Sequence, residues 1–355
     1  MSKVRCLITD DSKTMQLIVR QHLEADPDIE VVGTADGPHM ARQMIKELNP
    51  DVITLDVEMP DMNGIDFLER LMKLRPMPVV MVSTLTAKGS ETAIEALALG
   101  AIDCVVKPSV DNPNSFATLA TRVKNAARAR VQQLVQDAPQ RSGPFVKSAP
   151  VHGVPAGYMP DSKIVAIGSS TGGVEALQTI LTKLPANCPP IVITQHMPPT
   201  FTGTLAKRLN KICAPHIEEA RNGMALKQGQ VLIAPGGDLH MEVHGRANLH
   251  VRLVDAPPVN GHCPSVDVLF DSVARTVGAN AVGVILTGMG QDGAAGLLRM
   301  RQAGALTVGQ NESTCVVYGM PKVAFQMGAV QAQKPVERIA QEIMGMTNAN
   351  LKGAA

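Results

Sequence analysis

Apolar residues along this chain follow two alternating rhythms. Through the first third, short unbroken runs (VRCLITDD from Val4, IEVVGTA from Ile29, DVITLDVEMP from Asp51, PVVMVST from Pro78, AIDCVVKP from Ala101) alternate with stretches such as KTMQLIVRQHLEAD and GIDFLERLMKLR. Unbroken runs suit strands buried on both faces, whereas apolar positions spaced by three and four suit helices with one buried face. Five repeats of strand then helix predict a parallel sheet covered on both sides. A further helix is predicted over SFATLATRVKNAARARVQQLVQ, residues 115–136. From Asp137 to Pro160 the sequence is rich in Pro, Gly and Ser without periodicity, which predicts a linker.

A second α/β rhythm follows. It runs through KIVAIGSSTGGVEALQTILTKL from Lys163, PIVITQHMP from Pro190, QVLIAPGG from Gln230, AVGVILTGMGQDGAAGLLRMRQAG from Ala281 and ALTVGQ from Ala305. Between the third and fourth of these, DLHMEVHGRANLHVRLV alternates around a Gly-containing turn and predicts a hairpin added to an otherwise parallel sheet. The expected architecture is a first domain over residues 1–124, a linker over 125–160, and a doubly wound α/β second domain over 161–350.

Composition narrows the function classes. Among 355 residues, 33 Lys and Arg face 32 Asp and Glu, a net charge of +1 that leaves no footprint for nucleic acid or an anionic membrane. With 2% aromatics and no Trp, base-stacking platforms are disfavoured as well. Six cysteines without a C-x-x-C pair suit reduced, packed thiols in a cytoplasmic protein. DDSK arrives by residue 13, before a secretory apolar segment could be complete, and no run is long enough to span a bilayer.

Candidate chemistry gathers at the carboxyl ends of the predicted strands, where open parallel sheets bind ligands. In the first domain Asp10 and Asp11 end one strand, Asp56 ends the third, Thr84 follows the fourth and Lys107 the fifth. Any one of these acids could merely end a strand or cap a helix. Three carboxylates converging would repel, and Mg²⁺ is the usual remedy. A carboxylate beside such a cation can accept a phosphoryl group, with Thr84 and Lys107 on its oxygens.

The second domain opens on Gly168-Ser169-Ser170-Thr171-Gly172, which fits the G-x-S-x-G spacing of a nucleophile elbow with Ser170 at its centre. Alone, this Gly-rich turn fits a phosphate cradle equally well. A nucleophile needs a base, and His196 ends the next strand on the same edge; a lone histidine there is more often structural. Asp292 could orient that imidazole, or it could serve as a carboxylate at a helix start. A rival reading lies in the same segment: Gly288-Met289-Gly290-Gln291-Asp292-Gly293 is a literal G-x-G-x-x-G after a strand, with Glu312 beyond the next one. That dinucleotide reading leaves Ser170 and His196 unexplained.

At its acidic positions the first third resembles the receiver domain of two-component response regulators. The resemblance implies a flavodoxin-like (βα)5 fold, Asp56 as phosphoacceptor, Asp10, Asp11 and Asp56 as Mg²⁺ ligands, and Thr84 and Lys107 as sensors of the phosphoryl group. Cys104 departs from the Tyr or Phe of many receivers, which puts an aromatic switch in doubt. GSSTGG, QHMP, APGG with His240 close behind, NGHCPSVDVLF and LTGMGQDGA occur in the order seen in the chemotaxis protein-glutamate methylesterase/glutamine deamidase family. By that resemblance Ser170 is the nucleophile, His196 the general base and Asp292 its orienting acid, with Thr171 and the Met289 N–H around the oxyanion. Ser169 stands where alanine is often found. The resemblance implies methyl-accepting chemoreceptors as substrates, a chemotaxis histidine kinase as phosphodonor, and hydrolysis without a cofactor.

Overall fold

The computed structural model describes residues 2–60, 62–84, 86–110, 113–129, 131 and 157–350. Contacts divide the chain between residues 141 and 142 into two units, each described by itself.

The first unit runs β1 (Val4–Thr9), α1 (Lys13–Glu24), β2 (Ile29–Ala35), α2 (Pro38–Leu48), β3 (Val52–Asp56), α3 (Gly64–Leu74), β4 (Val79–Ser83), α4 (Ala87–Ala98), β5 (Asp103–Val106), a 3-10 turn at Ser115–Thr118 and α5 (Leu119–Ala127). Its sheet is parallel, in the order β2-β1-β3-β4-β5. Strands β3 and β4 are buried at every position, so neither can spare a polar face. Three helices begin on side chains that the sequence supplies in place: Ser12, Asn63 and Thr86 accept the N–H groups of Met15, Asp66 and Gly89. Each such cap contributes about 1 kcal/mol.

The helix expected over 115–136 begins as the 3-10 turn, in which Phe116 is buried edge-on against His22 of α1 at 5.5 Å. Regular helix starts only at Leu119, and residues 132–136 lie outside the described residues. Most of the expected linker lies outside them too. Ala126 in α5 and Tyr158 are both buried, so packed residues occur near each end of the segment 125–160.

The second unit comprises β6 (Ile164–Ser169), α6 (Gly173–Leu181), β7 (Ile191–Gln195), α7 (Phe201–Ile212), β8 (His216–Glu219), β9 (Gln230–Ile233), β10 (Leu239–His244), β11 (His250–Asp255), α8 (Val266–Thr276), β12 (Ala281–Ile285), α9 (Ala294–Gln302), β13 (Leu306–Gln310), α10 (Met320–Gln326), β14 (Ala332–Lys334) and α11 (Val336–Met346). Seven strands form one sheet, β14-β13-β12-β6-β7-β9-β8, and every pairing in it is parallel.

The hairpin is present but does not extend that sheet. β10 and β11 form a two-stranded sheet of their own. Met241 and Val243 are buried in the core that includes Phe270 and Val273 of α8, and the Val243 N–H donates to Ser272 Oγ at 2.8 Å. The far edge of β11 is taken by the preceding loop, through Gly223 N–H to Val251 O and Val251 N–H to Met224 O, both 2.8 Å. With one edge paired and one face packed on α8, the hairpin satisfies its backbone without the main sheet.

In both units the strand order reverses beside the first strand, between β1 and β3 in the first and between β6 and β12 in the second, where β8 and β9 are also exchanged at the far edge. A crevice opens where successive connections leave a parallel sheet in opposite directions, and ligands of such sheets bind there.

Candidate active site and acidic pocket

At the first crevice Asp10 and Asp56 are both 2% exposed, and Asp11 is exposed beside them. One carboxylate oxygen of each lies within 4.8 Å of the others. Lys107, just after β5, places Nζ 2.8 Å from Asp56 Oδ2 and 3.1 Å from Asp10 Oδ2. One ammonium serves two buried carboxylates, and its contact with Asp10 Oδ2 is off hydrogen-bonding alignment. Burial pushes the Asp56 carboxyl up to about 6 even against the pull of Lys107, and Asp10 adds to the rise. Burial works against the Lys107 charge as well, but Asp56 and Asp10 outweigh it and raise the ammonium above its usual range. An all-oxygen set with surplus negative charge fits a hard divalent cation of the Mg²⁺ type. Thr84, half-buried at the end of β4, meets the Thr86 hydroxyl at 3.2 Å. The structure therefore gathers Asp10, Asp11, Asp56 and Lys107 directly, with Thr84 ending the neighbouring strand. Cys104 is buried in β5, and burial drives its thiol well above the usual range.

At the second crevice β6 ends at Ser169, and the chain turns sharply into α6. Gly172 makes that turn with φ +77°, and a Cβ there would lie 2.6 Å from Val316 Cβ. Across the turn, a Cβ on Gly288 would lie 2.7 Å from Ser170 Cβ, so the β12 end is pressed onto the serine. The Ser170 N–H donates to Thr287 O at 3.0 Å. Gln195 locks the elbow to the next strand: its Nε2 donates to Ser170 O at 2.9 Å and His196 O at 3.1 Å, while its Oε1 accepts from Ser169 Oγ at 2.6 Å. The two serines thus have different surroundings. Ser169 is fully buried and bonded; Ser170 is half-buried at the edge.

His196 follows β7, and its Nε2 lies 2.8 Å from Asp292 Oδ2. A carboxylate can only accept, so in the neutral ring the proton sits on Nε2 and Nδ1 is the free base. Nδ1 is buried with no hydrogen-bond partner among the described residues. A buried polar atom without a partner calls for an explanation, and proton acceptance is one. The opposite ring face stacks on His262, centroids 3.7 Å apart and planes 9° from parallel.

Asp292 is 1% exposed and saturated with donors. Oδ2 also accepts the Val266 N–H at 2.7 Å, and Oδ1 accepts from Ser265 Oγ at 2.7 Å, Asn260 Nδ2 at 3.1 Å and the Asp267 N–H at 3.2 Å. Burial opposes its charge, but the bonds from His196, Ser265 and Asn260 win and hold the carboxyl well below the usual range. The sequence allowed Asp292 a role at a helix start; the N–H groups it accepts are those of α8, not of its own α9. This fixes it in place for His196 as well. Gly288 and Gly293 of the G-x-G-x-x-G segment serve packing here, since a Cβ would lie 2.3 Å from Met320 Sδ on the first and 2.5 Å from Val266 Cγ1 on the second, while Gly290, with φ +86°, meets nothing within 4 Å.

Several participants had no role assigned from the sequence. Asn260, His262 and Asp267 stand in NGHCPSVDVLF and Gln195 in QHMP, segments that carried the resemblance, but what each side chain bonds to is decided mainly by distant segments. His240 is buried with Nδ1 accepting the Ser265 N–H at 3.1 Å and Nε2 donating to Pro257 O at 3.1 Å, so it holds the loop that bears Asn260 and Ser265. Thr171 follows Ser170 in the elbow, its carbonyl accepting from Thr287 Oγ1 at 3.0 Å. Met289 adjoins Gly288 on the opposite wall.

Five of the six cysteines are buried, and burial pushes the Cys6, Cys188 and Cys213 thiols up to about 12. Among the described residues no helix is long and apolar enough to cross a membrane.

Comparison with known proteins follows the same division. A family described as CheB methylesterase matches residues 165–343, and one described as response regulator receiver domain matches residues 6–117. A protein-glutamate methylesterase/protein-glutamine glutaminase of Agrobacterium fabrum is 56% identical over 350 residues, 99% of this chain and 98% of that protein. The protein of the same name from Salmonella typhimurium is 49% identical over 354 residues, 98% of each. The crystal structure of the Thermotoga maritima CheB methylesterase catalytic domain is 38% identical with a TM-score of 0.51, covering 52% of this chain and 98% of that one. The chain belongs to the protein-glutamate methylesterase/protein-glutamine glutaminase family, with a receiver domain ahead of the methylesterase domain.

Proposed function

We propose that this protein is a phosphorylation-controlled serine hydrolase that removes methyl groups from glutamate γ-methyl esters, and ammonia from glutamines, on methyl-accepting chemoreceptors, giving sensory adaptation. Ser170 Oγ attacks the γ-carbonyl while His196 Nδ1 takes its proton, and Asp292 keeps the ring oriented and supports the imidazolium that forms. Negative charge gathers on the carbonyl oxygen, which Thr171 and the Met289 N–H face. Collapse expels methoxide, or the amide nitrogen of glutamine; His196 returns its proton, and methanol or ammonia leaves. Water, deprotonated by the same Nδ1, then attacks the acyl-enzyme and frees glutamate and Ser170. No hydrolytic step calls for a cofactor. Ser170 Oγ makes no hydrogen bond among the described residues, a looseness common in such sites before substrate is bound.

The first domain, residues 1–124, acts as the receiver and is joined by residues 125–160 to the catalytic domain, 161–350. Asp56 accepts a phosphoryl group from a chemotaxis histidine kinase, with Thr84 and Lys107 on its oxygens. Asp10, Asp11 and Asp56 would hold Mg²⁺, which supplies charge neutralisation for the incoming phosphoryl group. The work is cytoplasmic, with no role for nucleic acid or membrane insertion.

The observation that carries the hydrolase reading is the buried, unpartnered Nδ1 of an imidazole whose Nε2 is tied to Asp292. Methanol release from methylated receptor membranes tests it. Wild-type protein should release methanol and Ser170→Ala should not; equal release by both, or by neither, would remove Ser170 from the reaction.

A further inference from the structure

Two buried carboxylates lie at the start of α8, and one amide joins them. Asn260 Nδ2 donates to Asp267 Oδ2 at 2.7 Å and to Asp292 Oδ1 at 3.1 Å. Asp267 is 6% exposed, and its Oδ1 accepts the Gly296 N–H of α9 at 2.6 Å. Both of its oxygens therefore accept from N–H donors, the arrangement of an ionised carboxylate; a protonated one would need an acceptor for its O–H. Burial first, and the nearby Asp292 charge next, push the Asp267 carboxyl up against those donors. A charge kept in so unfavourable a place is seldom there for packing alone. Its partners belong to the same loop and helix starts that hold Asp292.

We propose that Asn260 and Asp267 are positioning residues that set how strongly Asp292 holds the His196 proton. Asn260 draws electron density from Asp292 and weakens its hold. Asp267 adds a second negative charge behind it and strengthens that hold. The proposal rests on the reading of Ser170, His196 and Asp292 as a triad. Besides these, the groups around the pair are His262, stacked on His196, Ser265, bonded to Asp292, His240, bonded on both nitrogens, and from α9 the Arg299 guanidinium, which feels the Asp267 charge while pairing with Asp271.

The test is the pH dependence of kcat and KM for the full chain on methylated receptor, comparing Asp267→Asn and Asn260→Ser with wild type in the same buffers. Loss of the Asp267 charge should move the acid limb of log kcat to lower pH, by about half to one unit. Asn260→Ser should move it to higher pH by roughly a few tenths of a unit, with KM changing less than about twofold. Shifts in one direction for both variants, or a fall in kcat with the limb unmoved, overturn the proposal, because packing defects alone do that. Should Asp267→Asn fail to fold by circular dichroism, Asn260→Ser decides, and an unmoved limb overturns. Fluorophosphonate labelling of wild-type protein separates the two levels. No adduct on Ser170 removes the triad reading itself, whereas an adduct with unmoved limbs removes only the positioning role.

Discussion

The two crevices of this molecule follow one topological rule and arrive at opposite electrostatic states. At the β1/β3 crevice two buried carboxylates share one ammonium, and Asp56 is held less acidic than an ordinary carboxyl because burial outweighs Lys107. At the β6/β12 side the buried Asp292 is held more acidic, because donors on both oxygens outweigh burial. The first site is under-compensated and invites something from solution, a cation and then a phosphoryl group. The second is complete except for one nitrogen, His196 Nδ1, so it can accept a proton without rearranging. Switch-point topology says where a site forms; the donor count around each carboxylate says what kind of site it is.

The sharpest way to break the comparison is to empty the second crevice. Ser170→Ala and His196→Ala should each lower methanol release by about four to six orders of magnitude, and Asp292→Ala by about four, with losses that do not add because the three act as a unit. Initial rates of the single and double variants check this. A Ser170→Ala/His196→Ala double variant as slow as the product of the two single losses would mean the residues act separately.

A smaller effect is expected from the first crevice, which reaches the chemistry only through control. We propose that the unphosphorylated receiver restricts access to Ser170, which tethering at roughly millimolar effective concentration would allow even through a weak interaction. Phosphorylation adds nearly two negative charges beside Thr84 and Lys107 and can loosen that restriction. A coupling of about 1–3 kcal/mol corresponds to several-fold to about a hundredfold in rate. A fragment beginning near residue 150 should therefore outpace the unphosphorylated chain, and Asp56→Asn should stay at the low rate with phosphodonor and Mg²⁺. A fragment no faster than the unphosphorylated chain excludes occlusion in favour of positive activation.

The charge imbalance at Asp56 also has a stability consequence with a definite sign. Its folded-state value near 6 lies above the reference 3.8, so the folded receiver binds a proton that the unfolded chain has released between those values. Stability then falls as pH rises from about 4 to about 6, by roughly 3 kcal/mol from this group in full. Asp56→Asn, uncharged and of the same shape, should flatten that slope and raise the receiver's melting transition near pH 7. Added Mg²⁺ should raise the wild-type transition and leave the Asn variant nearly unmoved. Calorimetry of the full chain at pH 5 and pH 7, with and without Mg²⁺, reads both. A steeper loss of stability in the variant would reverse the sign assigned to Asp56.

What could be read from the chain in advance tracks how local each cause is. Mostly apolar runs announced β1, β3, β6 and β12, because burial on both faces leaves few polar positions, such as Thr54 in β3; strand-end residues such as Asp56, Ser170 and His196 were legible with them. β8 and β14 were not, since these edge strands are partly exposed along their length and carry no run. The hairpin's alternation was legible but its placement was not, for α8 and a loop 20 to 30 residues before β11 decide what it packs on. At the second crevice Asp292 was given a role, while Asn260 and Asp267 were read only as part of NGHCPSVDVLF. Their hydrogen bonds to Asp292 close over 25 to 32 residues of sequence, and nothing local marks an amide that will bridge that carboxylate to one seven residues on. Which imidazole nitrogen is the base is equally invisible until the side of the ring facing Asp292 is known.

The smallest expected effect separates the neighbouring serines. Ser169 is fully buried, and its Oγ donates to Gln195 Oε1 at 2.6 Å. Ser169→Ala keeps the Cβ that packs against Gly173 and removes only that donor, leaving one buried acceptor unsatisfied, at a cost of about 1–2 kcal/mol. The two bonds that place Ser170 and His196 come from the other end of the same amide, Gln195 Nε2, and survive the change. The melting temperature should therefore drop by a few degrees, while methanol release stays within about threefold of wild type. Gln195→Ala, which removes both ends of the amide, should be worse on both counts. If instead Ser169→Ala abolishes methanol release while Ser170→Ala retains it, the nucleophile has been assigned to the wrong serine and the elbow geometry must be read the other way.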